Sequence, residues 1–213
     1  MKKKELEHLK WVCFGDSLTE ENLRTDKHYF DYIAEKTGIE IVNMGLSGSG
    51  YFRLKDENKA FFQRAVNIPA DADVITVFGS GNDCEFVENS LGAETDTGSD
   101  TICDCINEAI DAIYAVNPTV QLGIIAPTPW QDNTPAENGT MAQYCEKLAA
   151  ICARRSIPYL DLFHHSGLRP NDEKFRALAY SKDDGNGIHP DETGHKMISP
   201  HICAFLLSLV GTY

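Results

Sequence analysis

The sequence predicts an α/β fold in which one parallel sheet lies between two layers of helices. Short apolar segments rich in β-branched residues alternate with longer segments whose apolar residues recur at helical spacing. Because helices separate the strands, the connections are expected to be right-handed crossovers that place the strands side by side in parallel. Five strands are predicted, at residues 10–14, 40–44, 73–78, 121–126 and 158–163.

Helical patterns fill the intervals between these strands and follow the last one. Gly38 is placed to end the first helix, and Asn117 with Pro118 closes the second. The predicted helices cover residues 29–37, 101–116, 140–155 and 192–209. No repeat or linker interrupts the pattern, so residues 1–213 are predicted to form a single domain.

The longest irregular segments are expected at the functional edge of the sheet. Residues 84–99, 127–139 and 164–188 show no clear period. Ligands of open parallel sheets bind beside the carboxyl ends of the strands, where such loops lie. The Gly-, Asn- and His-rich segments of the chain are therefore expected to meet there.

Composition and charge exclude several classes of binding partner for this protein. The 213 residues are 42% hydrophobic and carry a net charge of −13, which would repel nucleic acid and anionic membranes. No run approaches the roughly 20 apolar residues of a membrane span, and no signal peptide is evident, which favours a cytoplasmic protein. The seven cysteines complete no zinc motif. We expect buried thiols, no metal or other cofactor, and a small-molecule partner.

The first strand ends in Gly15-Asp16-Ser17-Leu18-Thr19. The glycine allows a sharp turn, and the serine is then expected at the start of a helix with its hydroxyl and N–H facing the crevice. A purely structural interpretation is also open, because Ser17 and Glu20 have the spacing of a capping box.

Three further segments end in residue types that acyl transfer requires. Gly48 follows the second strand, Asn82 follows the third, and His189 precedes the last helix. Each has an ordinary interpretation as part of a turn. Attack on an ester carbonyl, however, needs a nucleophile, a base and hydrogen-bond donors for the oxyanion. Ser17, His189, and the Ser17 N–H, Gly48 N–H and Asn82 side-chain amide would supply all three.

With these motifs the chain resembles the SGNH (GDSL) hydrolase family. The four residues that give the family its name match Ser17, Gly48, Asn82 and His189. The resemblance implies a flavodoxin-like three-layer α/β/α sandwich with strand order 2-1-3-4-5. It also implies metal-free hydrolysis of esters through an acyl-enzyme, with short-chain esters, acetylated sugars, lysophospholipids and thioesters as substrate classes. Because no export signal is evident, an acetylated metabolite or an acetylated oligosaccharide is the favoured substrate.

Two positions depart from the family pattern. Ser80 stands where the family has the glycine of Gly-x-Asn-Asp, and Asn186 stands where it has an Asp three residues before the histidine. Asn186 could orient His189 through its carbonyl oxygen but would supply no countercharge. Asp184 is the alternative third catalytic residue, with Asp183 less favoured, and a backbone carbonyl is a further possibility.

Several other residues are candidates for roles near the site. Asp16 and Asp83 are expected to order loops by accepting backbone N–H groups. Cys84 could line the pocket, and His164 with His165 could form its rim. Trp130 is interpreted either as a wall for the substrate or as an anchor for its own loop.

Two functions outside catalysis remain open from the sequence. The segment from Ser47 to Gly50 could belong to a flavodoxin-like domain that binds a flavin or nucleotide. The Asn186 substitution leaves room for a catalytically weak SGNH domain that binds a carbohydrate or acyl ligand. The oligomeric state is not predicted.

Overall fold

The fold is a five-stranded parallel sheet with helices on both faces. The computed structural model describes residues 6–182 and 187–210. Every neighbouring pair of strands is parallel, and their order is β2-β1-β3-β4-β5. The predicted fold class and strand order are therefore confirmed. The strands are β1 (Lys10–Gly15), β2 (Glu40–Gly45), β3 (Val74–Phe78), β4 (Gln121–Ile125) and β5 (Tyr159–Leu160).

Helices occupy the connections between the strands. The described residues form eight α-helices, at α1 (Tyr29–Thr37), α2 (Phe61–Arg64), α3 (Val87–Ser90), α4 (Ile102–Val116), α5 (Thr140–Arg154), α6 (Leu162–His165), α7 (Glu173–Ala179) and α8 (Glu192–Val210). Short 3-10 helices lie at Lys55–Glu57, Ala65–Asn67 and Gly81–Phe86.

The sheet separates two hydrophobic cores. Successive residues of a strand face opposite sides of the sheet, and in β1 Val12 and Phe14 join one core while Trp11 and Cys13 join the other. The first core includes buried residues of α4 and α5, and the second includes those of α1 and α8. Burial of both faces explains why β1 and β3 read as continuous apolar runs.

The last predicted strand is shorter than the sequence indicates. Residues 158–163 are apolar enough for a strand, but β5 spans only Tyr159–Leu160. The side chain of Asp161 accepts a hydrogen bond from the His164 N–H and so caps α6. The capping aspartate therefore overrides the β pattern. The prediction of irregular structure is also wrong in part for two segments. Helix α3 lies within residues 84–99, and α7 lies within residues 164–188.

A buried histidine joins the first and last helices. The His195 Nδ1 atom accepts a hydrogen bond of 3.2 Å from the N–H of Tyr29, the first residue of α1. Burial, together with the nearby His28 and His189, lowers the pKa of His195 to about 3. Its ring stacks on Tyr29 and meets His28 edge-on at 5.1 Å. The fold thus holds this imidazole neutral.

We expect His195→Asn to reduce the acid sensitivity of the fold. An unfolded histidine binds a proton below about pH 6.5, whereas folded His195 does so only near pH 3. The stability that neutral His195 contributes is therefore complete above pH 6.5 and is lost as the pH falls towards 3. Urea unfolding should show the stability advantage of wild type over the variant shrinking by about 1–2 kcal/mol between pH 7 and pH 5.

His201→Asn, at an exposed position of the same helix, is the matched control and should leave the pH dependence unchanged. Parallel stability curves for wild type and His195→Asn would contradict the assignment.

Candidate active site

Ser17 stands in a tight turn directly after β1. The Asp16 carbonyl accepts hydrogen bonds from the N–H groups of Thr19 and Glu20, and the Asp16 side chain accepts one of 2.9 Å from Leu18 N–H. These bonds close a turn, so the expectation that Ser17 begins a helix is wrong: the next helix is α1. The Glu20 carboxylate instead accepts a hydrogen bond from Ser47 Oγ, and no capping box with Ser17 forms.

Ser17 and His189 meet although 172 residues separate them. The Ser17 Oγ lies 2.8 Å from the His189 Nε2, and both residues are half-buried. His189 lies just before α8 in a segment held by its own backbone, because its carbonyl accepts the Ser181 N–H at 2.8 Å. Tyr180 and Pro190 form an antiparallel bridge beside it. A nucleophile and a base with this separation are within direct proton-transfer distance.

The two candidates for the third catalytic residue lie outside the described residues. Asn186 and Asp184 both fall in the interval 183–186, which separates the two described ranges. Their assignment therefore stays a prediction from the sequence.

The three predicted oxyanion donors follow three neighbouring strands. Ser17 follows β1, Gly48 follows β2 and Asn82 follows β3, and these strands lie side by side in the order β2-β1-β3. Gly48 has a φ of +76°, a conformation that disfavours any residue with a side chain. Within the described part of the chain we find no acceptor for the backbone N–H of either Ser17 or Gly48.

Asn82 is tied to the same region through its side chain. Its Nδ2 donates to the Ser49 carbonyl at 3.0 Å and lies 3.4 Å from the Asp16 carboxylate. The second distance is long for a hydrogen bond of this type. An amide group has two N–H bonds, so one is engaged by Ser49 and the other is only weakly held.

Asp83 orders the loop after β2, as its sequence context suggests. Its carboxylate is fully buried and accepts hydrogen bonds of 2.8–3.1 Å from three successive N–H groups, those of Tyr51, Phe52 and Arg53. These bonds favour the ionised carboxylate, but burial outweighs them and raises the pKa of Asp83 to about 6. Asp16 has an equivalent role in the turn at Ser17, and burial raises its pKa as well.

Two residues that the sequence did not single out as part of the site hold these loops together. The Arg64 guanidinium donates to the carbonyls of Gly15 and Met44 and to the Ser49 hydroxyl. The hydroxyl of Ser80, noted only as a departure from the family pattern, contacts Asp16 and Ser49. Neither has a sequence signal of its own, because both act through backbone and side-chain partners distant in the chain.

Trp130 anchors the loop after β4 against two parts of the site. Its indole ring covers Gly81, where a Cβ atom would overlap the ring, and Gly81 adjoins Asn82. The next residue, Gln131, donates its N–H to the carbonyl of Gly187 at 3.3 Å, two residues before His189. These contacts show the anchor role, and Trp130 as a whole is half-buried.

Cys84, His164 and His165 have no described contact with the Ser17–His189 pair. Cys84 is buried, and burial raises the pKa of its thiol, which disfavours the reactive thiolate. His164 is exposed and bonds to Asp161 at 2.8 Å. Among residues 6–182 and 187–210, no three metal-ligating side chains converge.

The contact between the Ser17 hydroxyl and the His189 ring thus lies at the carboxyl ends of a parallel sheet with the strand order β2-β1-β3-β4-β5. The sequence matches the model of the GDSL-like lipase/acylhydrolase family over residues 13–197. The chain therefore belongs to this family of hydrolases that act on esters, as its resemblance implied.

Solved structures show the same fold over nearly the whole chain. A protein from Lactobacillus plantarum is 25% identical, with a TM-score of 0.79 over 95% of this chain and 98% of that one. A possible lipase from Chitinophaga pinensis is 20% identical, with a TM-score of 0.70 over 95% and 99%. A carbohydrate acetylesterase from Sinorhizobium meliloti is 16% identical, with a TM-score of 0.67 over 94% and 99%.

No curated protein matches the sequence significantly. None of the helices in the described ranges is long and apolar enough to cross a bilayer.

Proposed function

We propose that the protein is a serine esterase that cleaves small carboxylic esters through an acyl-enzyme. The observation that carries the proposal is the 2.8 Å separation of Ser17 Oγ from His189 Nε2 at the carboxyl edge of the sheet. A serine hydroxyl is a weak nucleophile unless a base takes its proton during attack. His189 is in position to be that base.

The reaction would proceed in two halves. In the first, His189 Nε2 takes the Ser17 proton while the Ser17 Oγ bonds to the ester carbonyl carbon. The tetrahedral intermediate then expels the alcohol, to which His189 returns the proton. In the second half, His189 removes a proton from water, the hydroxide attacks the acyl-serine, and the carboxylic acid leaves as Ser17 regains its proton.

The oxyanion formed in each half would be stabilised by donors from three loops. The N–H groups of Ser17 and Gly48 are backbone donors fixed by the turns that follow β1 and β2. The second N–H of the Asn82 amide completes the set. Each such donor is worth about 10²–10³ in rate in comparable serine enzymes.

The proposed substrate is an ester of a small acyl group, such as an acetyl group on a carbohydrate. The structural relatives include the carbohydrate acetylesterase from Sinorhizobium meliloti and an aryl esterase from M. smegmatis. Trp130 also supports a small acyl group, because its ring packs over the turn that carries Asn82 and so limits the space on that side.

Activity on p-nitrophenyl esters from C2 to C12, together with acetylated sugars, tests the proposal. Wild type should hydrolyse the C2 ester with the highest kcat/KM and lose activity as the acyl chain lengthens. Ser17→Ala and His189→Ala should each lower kcat by at least about 10³-fold, because each removes a participant in the proton transfer.

Ser199→Ala and His201→Ala are the matched controls, since both residues lie on α8 away from the pair, and they should retain wild-type rates. Full activity in Ser17→Ala would refute the serine mechanism. A preference for C8 or longer esters would refute the small-acyl assignment.

The third catalytic residue is proposed to be Asn186, which would hold the Nδ1–H of His189 without a countercharge. In serine proteases, replacing the acid of the triad by asparagine costs about 10⁴ in kcat. We therefore expect Asn186→Asp to raise kcat by about tenfold or more, measured with p-nitrophenyl acetate. If Asp184→Ala abolishes turnover while Asn186→Ala leaves it intact, Asp184 holds this position instead.

A further inference from the structure

Ser80 occupies a fully buried position between the three loops of the proposed site. It follows Gly79 at the end of β3 and caps the 3-10 helix Gly81–Phe86. Its backbone is extended, with φ −127° and ψ 130°, and its N–H donates to the Tyr144 hydroxyl at 3.0 Å. The residue is therefore fixed by backbone contacts that do not involve its own hydroxyl.

The hydroxyl of Ser80 contacts all three loops at once. Its Oγ lies 2.7 Å from the Asp16 carboxylate and 2.8 Å from the Ser49 carbonyl, and it accepts the Asn82 N–H at 3.1 Å. Asp16 precedes Ser17, and Ser49 follows Gly48. The Ser80 hydroxyl thus connects Asp16 and Ser49, which adjoin the two backbone donors, to Asn82. The Asn82 side chain supplies the third proposed oxyanion donor.

Ser80 and Asn82 share the same two acceptors. The Asn82 Nδ2 is 3.0 Å from the Ser49 carbonyl and 3.4 Å from the Asp16 carboxylate. Asp16 is only 4% exposed, and a buried carboxylate that loses a donor is costly. Without the Ser80 hydroxyl, the nearest side-chain donor for Asp16 is the Asn82 amide, which would turn inwards and engage both its N–H bonds.

We propose that Ser80 is a positioning residue: its hydroxyl donates its single hydrogen to the Asp16 carboxylate and so keeps one Asn82 N–H available to the oxyanion. The inference rests on the proposed esterase function. Ser80 does not touch the substrate and acts only through Asn82. Its loss should therefore affect the tetrahedral intermediate more than the bound ester.

Ser80→Ala and Ser80→Gly test the inference on the full chain with p-nitrophenyl acetate. Both remove the hydroxyl, and two variants are used in case one folds poorly. We expect kcat to fall about 10- to 100-fold, which approaches the loss of one oxyanion donor, while KM changes less than threefold. The inhibition constant of phenylboronic acid, whose serine adduct is tetrahedral, should rise by a similar factor.

Thr76→Val is the matched control for the loss of a buried hydroxyl. Thr76 lies within β3, four residues before Ser80, is fully buried, and its Oγ1 accepts the Trp11 Nε1–H at 2.9 Å. This variant should lower the melting temperature and leave kcat and the inhibition constant unchanged.

Three results would overturn the inference in distinguishable ways. If both Ser80 variants keep kcat and the inhibition constant within twofold of wild type, the hydroxyl does not position Asn82. If Thr76→Val lowers kcat and weakens the inhibitor as much as the Ser80 variants do, the loss comes from general destabilisation and Ser80 has a structural role only. A wild-type protein with no esterase activity would instead refute the proposed function, and the positioning role with it.

Discussion

The geometry of the site depends on the hydrogen bonds made by the buried carboxylate of Asp16. Moving a carboxylate out of water costs several kcal/mol unless donors replace its hydration. Here the donors are the Leu18 N–H and the Ser80 hydroxyl, with Asn82 close by. Because few other donors can reach the Asp16 carboxylate, its hydrogen bonds fix the turn that contains Ser17. They also hold the loop after β3 next to that turn. The parallel sheet supplies the proximity, because β1 lies between β2 and β3.

The polar groups around Asp16 differ in burial, and the difference follows their roles. Asp16, Asp83 and His195 are almost fully buried, and each is held in place by backbone N–H groups. Ser17 and His189, by contrast, are half-buried, so a ligand can reach them. The buried groups therefore hold the loops in place, while the proposed catalytic pair lies at their edge. Such support by surrounding residues is what keeps a catalytic geometry within the narrow limits that catalysis needs.

Periodicity was sufficient to predict the fold, because the strands are buried on both faces and the helices are amphipathic. It failed at residues 158–163, where a single capping aspartate converts the end of an apolar run into α6. The motifs predict Ser17 and His189 as a nucleophile and a base, since each belongs to a segment that lies at the same edge of the sheet. No sequence pattern marks Arg64 and Ser80 as parts of this framework. Their partners lie on strands and loops distant in sequence, and only the tertiary structure shows which side chains compete for the same acceptor.

The central claim is that His189 activates Ser17, and covalent labelling measures this without knowledge of the natural substrate. A fluorophosphonate probe reacts readily only with an activated serine. With the full chain at pH 7.5, mass spectrometry should place the phosphonyl group on Ser17, and His189→Ala should slow labelling by at least about 100-fold. The absence of labelling in wild type, or an equal labelling rate in His189→Ala, would contradict the account and favour a domain that binds an acyl or carbohydrate ligand without turnover.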